Sequence, residues 1–154
     1  MTATLRDWLL VGHVLAAMVW LGGGVMLAAL AVFTVRSGDA DAVVRFVRPL
    51  RVVGPIVLAP ATVLVVGLGV WLVLEDAAWS FGQTWVVLAL ALFASAAVVG
   101  AAFQSRAAIL AERAGGRGDR AEARRQLGRW VMGYLVIVAL LVAIVWDMVF
   151  KPGV

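Results

Sequence analysis

Residues 84–103 read TWVVLALALFASAAVVGAAF and contain no charged side chain. A helix rises about 1.5 Å per residue, so a stretch of about 20 apolar residues is long enough to cross the hydrocarbon of a bilayer. Predominantly apolar stretches also occur at residues 8–35, 52–74 and 127–150. In lipid the backbone must satisfy its own hydrogen bonds, and none of these stretches alternates as a barrel strand does. The sequence therefore predicts an all-α fold, a bundle of four transmembrane helices.

The composition predicts a single integral membrane domain covering residues 1–154. Of the 154 residues, 64% are hydrophobic and 14% are charged, whereas soluble domains are about half apolar and a quarter charged. The chain has no cysteine and one histidine, which excludes disulfides, thiolate metal sites and a cage of several histidines. It also lacks a P-loop, a dinucleotide-binding glycine motif and a serine–histidine–aspartate set. An enzyme of the soluble type is therefore not expected.

The basic residues predict the orientation in the membrane. Eleven of the 13 fall between the first and second apolar stretches or between the third stretch and the first residues of the fourth. These are Arg36, Arg45, Arg48, Arg51, Arg106, Arg113, Arg117, Arg120, Arg124, Arg125 and Arg129. The positive-inside rule makes those segments cytoplasmic and both termini external. Because topology and contact with anionic lipid head groups explain the net charge of +4, nucleic acid is not an expected partner.

Both arginine-rich connections carry helical signals. Val43, Phe46, Val47 and Leu50 fall at i, i+3, i+4 and i+7, which predicts a short amphipathic helix lying in the membrane interface, ended or bent at Pro49. In the second connection residues 115–118 read GGRG. Asp119 and Glu122 follow with the spacing of a capping box, which predicts a basic, partly helical loop leading into the fourth span.

The first span carries a distinctive stripe. His13, Ala17, Trp20 and Gly24 lie close together on one helical face at about 100° per residue. Gly22, Gly23 and Gly24 permit close approach of a neighbouring helix, because packing replaces the hydrophobic effect in lipid. The stripe should therefore face protein. Its tryptophan is predicted to contact a packed interior or a flat ligand.

A histidine inside a membrane needs a polar partner and is a candidate functional residue. Three interpretations of His13 remain open: a hydrogen bond to a neighbouring helix, ligation of haem or a metal, and proton transfer. The polar residues expected at its level are Glu75, Asp76, Gln83, Asp147 and Lys151. A carboxylate among them could orient the ring, and a second haem ligand could come from Met148, Met18, Met26, water or another subunit. Asp147 and Lys151, at i and i+4, are expected to pair.

Several motifs connect the chain with a known family. They are HVLAAMVWLGGG at 13–24, Arg48-Pro49, Val53-Gly54-Pro55 and DMVFKP at 147–152. With them the whole chain resembles the bacterial predicted integral membrane proteins catalogued as domain of unknown function 2269. That resemblance implies a four-helix protein of the bacterial inner membrane with no established activity. The histidine, tryptophan and glycine run is also similar to the first helix of CopD-like copper-resistance proteins and HemJ-type protoporphyrinogen oxidases, which implies His13 as a ligand of copper or haem.

Three classes of function follow from the sequence. The leading hypothesis is a non-enzymatic membrane protein that assembles with itself or a partner through its glycine-rich faces. The second is a haem-binding or redox membrane protein, with His13 as axial ligand, Trp20 beside the ring and Met148 as a candidate second ligand. The third is a small copper or ion transporter, although the inner halves of the spans offer few groups to replace an ion's hydration shell.

Overall fold

The computed structural model describes residues 3–37 and 39–153. Its helices are α1 (Leu5–Arg36), α2 (Ala40–Val53), α3 (Ala59–Glu75), α4 (Thr84–Val98), α5 (Ser105–Gly116) and α6 (Arg120–Phe150). No strand occurs in these two ranges. Within the same ranges, four continuous helical stretches are long and apolar enough to span a membrane: Leu5–Arg36, Ile56–Glu75, Thr84–Gly116 and Arg120–Phe150. The predicted all-α fold with four candidate spans is confirmed.

The start of α1 is fixed by a capping box. The Thr4 hydroxyl accepts a hydrogen bond from the Asp7 backbone N–H, and the Asp7 carboxylate accepts one from the Thr4 backbone N–H at 2.8 Å. These reciprocal bonds satisfy two N–H groups that a helix end leaves without partners. The helix therefore begins three residues before the apolar stretch that predicted it.

The apolar face of α2 packs against protein. The Asp39 carboxylate caps this helix by accepting from the N–H groups of Asp41 and Ala42 at 2.8 and 3.1 Å. The bond from Ala42, and then that from Asp41, lowers the pKa of Asp39. Val43 and Val47 are fully buried in a cluster with side chains of α5 and α6. The side chains of Leu50, Arg48 and Arg51, which belong to the same amphipathic pattern, lie outside the described residues.

The helix that begins at α2 does not end at Pro49. It continues through a π-helical segment, Gly54–Leu58, directly into α3. A proline has no amide hydrogen, so the carbonyl one turn before it loses its usual donor. In the π segment the Ala59 N–H donates to the Gly54 carbonyl, five residues back. This shift in hydrogen bonding, of a kind often found at distortions in helices, accommodates the prolines without a break.

The second basic connection is a helical hairpin. A second π segment, Val99–Gln104, joins α4 to α5, so the third span continues for 33 residues. That corresponds to about 50 Å, more than the roughly 30 Å of hydrocarbon in a bilayer. The chain reverses at Gly118, whose φ is +75°, and the Asp119 carboxylate caps α6 through the Glu122 N–H at 3.0 Å. The predicted partly helical loop is therefore helical up to a tight turn.

The helices pack in an open arrangement. α1 contacts α3 and α6, while α6 also contacts α4 and α5. α3 and α4 follow each other in the chain, but no Cα atom of one lies within 8 Å of a Cα atom of the other. The bundle therefore has a gap between α3 and α4, which their backbones do not close.

Small residues allow the closest helix approaches. A Cβ atom at Gly24 would overlap the Tyr134 hydroxyl, and one at Gly133 would lie 2.7 Å from Phe103 Cδ1. Tyr134 stacks on Trp130 with ring centroids 5.6 Å apart, and both are buried. These two aromatic residues therefore belong to the interior of the bundle, although aromatic residues near the end of a span are typical of a lipid-facing boundary.

Candidate functional site: a cavity around His13

A cavity of about 270 Å³ lies among α1, α3, α4 and α6. It occupies the gap between α3 and α4, near the end of the bundle that carries Arg6 and Lys151. Most of its lining is apolar. His13, Trp20 and Met148, the residues that the sequence suggested for a cofactor, all line it.

The His13 ring is oriented by the backbone of α3. Its Nδ1 lies 2.9 Å from the Val65 carbonyl oxygen. A carbonyl oxygen can only accept, so Nδ1 carries the hydrogen, and in a neutral ring Nε2 then has a free lone pair. The partner is therefore a backbone carbonyl of a neighbouring helix, the first of the three interpretations, and not one of the carboxylates that could have oriented the ring. Asp76, one of the carboxylates proposed for that role, instead binds the Arg6 guanidinium at 3.0 Å.

Gly69 makes room for this histidine. A Cβ atom at position 69 would lie 3.0 Å from His13 Cε1, closer than most real contacts. Gly69 follows Val65 by one helical turn, so the residue that binds the ring and the residue that accommodates it share a face of α3. A glycine in the second span was therefore a usable sequence signal, but the sequence did not reveal which helix it would face.

Aromatic side chains form part of the cavity wall. Trp20 of α1 contacts Phe93 of α4, with ring centroids 5.4 Å apart and planes inclined by 49°. Both rings line the cavity. Trp20 therefore joins two helices whose backbones do not pack directly, and the stripe from His13 to Gly24 faces the bundle.

Two cations border the cavity. Lys151 Nζ lies 4.3 Å from the centroid of the Trp79 ring and 5.4 Å from that of Trp85, while the Arg6 guanidinium lies 5.1 Å from the Trp79 ring. Trp85 donates its ring N–H to Gln83 Oε1 at 3.1 Å. These two tryptophans hold cations beside the cavity, and no local pattern in the sequence indicates that contact.

The methionines separate clearly by position. Met148 lines the cavity, whereas Met18 and Met26 are 65% and 64% exposed on the outside of α1. Of the three methionines suggested as a second haem ligand, the structure thus brings Met148 to the cavity that contains His13.

Asp147 has surroundings that the sequence did not predict. It is 0% exposed, and neither carboxylate oxygen has a hydrogen-bond partner within the described residues. The expected pair with Lys151 is not formed, because the lysine ammonium lies over the tryptophan rings. A buried carboxyl without a partner is costly, and no described side chain compensates this one.

The three consecutive glycines at positions 22–24 have different environments. Gly24 is packed against Tyr134 and Gly23 faces Leu58, while an added Cβ at Gly22 would meet nothing within 4 Å. Of these glycines, Gly24 allows α1 to pack closely against α6, whereas Gly22 has free space beside it.

Comparisons with known proteins agree with the membrane assignment. The family model described as "Predicted integral membrane protein (DUF2269)" matches residues 7–152. Searches of curated proteins and of solved structures gave no match. Among the residues that the structure describes, no group of three or more histidine, cysteine, aspartate or glutamate side chains could hold a metal ion.

Proposed function

Since the chain belongs to the DUF2269 family of predicted integral membrane proteins, we propose that it binds a compact, lipid-soluble ring compound in the cavity around His13. The observation that carries this proposal is the hydrogen bond from His13 Nδ1 to the Val65 carbonyl in the cavity wall. It fixes the histidine in the tautomer whose Nε2 accepts a hydrogen bond. The complementary ligand is a phenol or quinol, whose hydroxyl donates to that nitrogen.

The cavity suits a ligand of one or two rings. Its volume of about 270 Å³ is just below the range of about 300–1,000 Å³ typical of sites for drug-sized ligands. Trp20 and Phe93 provide aromatic surface, against which a flat ring can stack. The backbones of α3 and α4 stay apart beside the cavity, although Val73 of α3 packs against Trp85 and Val86 of α4 at one end of it.

Haem is the second candidate. It is favoured by the presence of an imidazole and a thioether, His13 and Met148, in one cavity, since a histidine–methionine pair is a known axial ligand set. The bond to Val65 is the kind of contact that orients a ligating histidine. A four-pyrrole macrocycle would, however, need the cavity to widen. If bound, haem would supply redox chemistry, with His13 and Met148 holding its iron.

Binding of 1-naphthol to the detergent-purified protein tests the proposal. We expect saturable binding by isothermal titration calorimetry, with 1-methoxynaphthalene about tenfold weaker, since loss of one hydrogen bond costs about 1.4 kcal/mol. His13→Ala should bind 1-naphthol about tenfold more weakly, whereas Met18→Ala on the outer surface should bind normally.

Equal affinity of wild type and His13→Ala for 1-naphthol, in variants with unchanged thermal unfolding, would contradict the proposal. An absorption spectrum with metal analysis distinguishes the second candidate. A Soret band that is present in the wild type and absent in His13→Ala would show that the ligand is haem and not a phenol or quinol.

We also propose the bacterial cytoplasmic membrane as the location, with the arginine-rich ends of the spans in the cytosol and both termini outside. The supporting observation is the distribution of basic residues together with the positive-inside rule. At that face the arginines would attract anionic lipid head groups. Self-association of the chain would use the outer face of α1 around Gly22, where no side chain of the chain covers the glycine.

A further inference from the structure

The hairpin formed by α5 and α6 contains a second concave site, which shares no lining residue with the cavity around His13. A groove of about 440 Å³ lies between the two helices, and its lining residues are Ala102, Phe103, Arg106, Ala107, Leu110, Gln126 and Arg129. From this groove we propose that the hairpin binds one anionic phospholipid, whose phosphate lies between Arg106 and Arg129. The inference rests on the proposal that this end of the molecule faces anionic head groups.

The two arginines lie at the level expected for head groups. Arg106 is the first charged residue after Asp76, and Arg129 is the last before Asp147. Each therefore marks the end of an uncharged helical stretch long enough to cross the hydrocarbon. Because α5 and α6 run in opposite directions from their turn, the two guanidinium groups come to the same groove from different helices.

Both guanidinium groups are available to a ligand. Neither Arg106 nor Arg129 makes an ion pair or a hydrogen bond with any described residue. By contrast, Arg125 on the same helix is paired with Glu122 at 2.7 Å. A guanidinium can bind two phosphate oxygens at once, so two of them are well suited to a phosphodiester.

The groove combines this charge with apolar surface and a buried amide. Phe103 and Leu110 are exposed beside the arginines, and Gln126 is 6% exposed. Gln126 Nε2 donates to Glu122 Oε1 at 2.6 Å, and its amide has a second hydrogen to offer. That hydrogen suits a phosphate oxygen, while the apolar side chains suit the start of an acyl chain. A free phosphate could accept the amide hydrogen but would leave the apolar side chains without a partner.

Thermal unfolding of the purified protein in a neutral detergent, with different added lipids, tests this site. We expect phosphatidylglycerol to raise the Tm of wild type by several degrees and phosphatidylcholine or inorganic phosphate to leave it unchanged. Arg106→Gln with Arg129→Gln should abolish the shift. Arg113→Gln with Arg117→Gln is the matched control, because it removes the same charge near the hairpin turn and should keep the shift.

Native mass spectrometry provides a measurement that does not depend on stability. Wild type and the control should retain one phosphatidylglycerol under conditions where the Arg106/Arg129 double variant retains none. A shift of equal size in both double variants would show general attraction to anionic lipid and overturn the defined site, while leaving the proposed orientation intact. Equal stabilisation by inorganic phosphate would also overturn the site. Neither outcome affects the proposal for the His13 cavity.

Discussion

The buried carboxyl group of Asp147 has no hydrogen-bond partner among the residues that the structure describes, and Asp147 is next along the chain to Met148 of the cavity wall. The i, i+4 spacing to Lys151 would allow an ion pair on a helical surface. The chain instead leaves the helix at Lys151, whose φ is +43°. The left-handed conformation of Lys151 ends the helix, and its side chain lies over Trp79 and Trp85. The side chains of Asp147 and Lys151 are therefore not placed as two residues one turn apart on a continuous helix would be.

Replacement of Asp147 by Asn tests this difference. Breaking a buried ion pair usually costs about 3–5 kcal/mol, because it leaves one charge uncompensated. Since Asp147 has no partner within the described chain, we expect Asp147→Asn not to lower the free energy of unfolding, and to raise it by up to about 1 kcal/mol. Denaturation in detergent measures this change.

Lys151→Gln is the companion variant. It removes the cation from the two tryptophan rings and should cost about 0.5–1 kcal/mol, the usual strength of an exposed cation–π contact. If both variants lost several kcal/mol and the double variant lost no more than either one, the ion pair predicted from the sequence would be present after all.

Among the helices, the contact between α1 and α6 depends on one of the three consecutive glycines at positions 22–24. Gly24 lies against the Tyr134 hydroxyl, whereas Gly22 faces open space. At about 100° per residue, positions 22 and 24 lie about 160° apart around the helix axis, so their roles differ although their sequence context is nearly the same.

Alanine substitutions at these positions should therefore have opposite effects. Gly24→Ala places a methyl group where Tyr134 lies, and overpacking of this kind costs about 1–3 kcal/mol. Gly22→Ala meets nothing within 4 Å and should leave the free energy of unfolding unchanged or raise it, because alanine favours the helix. Thermal unfolding of the two variants in the same detergent compares them directly.

The pair Gly24→Ala and Tyr134→Phe adds a check on the cause. Removing the hydroxyl should recover only part of the stability lost by Gly24→Ala, because the new Cβ would overlap both the hydroxyl and the ring carbon that carries it, and phenylalanine keeps that carbon. Equal destabilisation by the Gly22 and Gly24 substitutions would instead indicate a general effect on α1.

At the scale of the whole molecule, the orientation across the membrane can be tested with single cysteines. The native chain has none, so every label reports the introduced residue. Ser80 lies between α3 and α4 and Ser37 follows α1, and both are exposed. In intact cells a membrane-impermeant maleimide should label Ser80→Cys and should label Ser37→Cys only after permeabilisation.

The cysteine-free parent is the control for background labelling. Labelling of Ser37→Cys in intact cells, without labelling of Ser80→Cys, would reverse the orientation derived from the arginines. It would also place the groove between Arg106 and Arg129 on the outer side, where the lipid test above would still apply.

The sequence by itself determined the four candidate spans, because crossing a bilayer requires only a long enough apolar stretch, and hydropathy records that directly. The sequence also singled out His13, Trp20 and Met148, which line one cavity, but it named Met18 and Met26 together with Met148, and those two lie on the outside of α1. Helix caps such as Asp119 were likewise readable, because capping depends on residues three positions apart.

Tertiary structure decided which side chains meet. The spans are apolar on nearly all sides, so their sequences do not specify how each helix is rotated about its axis. Packing of Gly24 on Tyr134, and of Gly69 beside His13, sets those rotations. This packing gives His13 a backbone hydrogen-bond partner and buries Asp147 without a hydrogen-bond partner among the described residues. It also keeps the backbone of α3 apart from that of α4. These outcomes depend on close fit between distant segments, which local patterns of hydropathy do not contain.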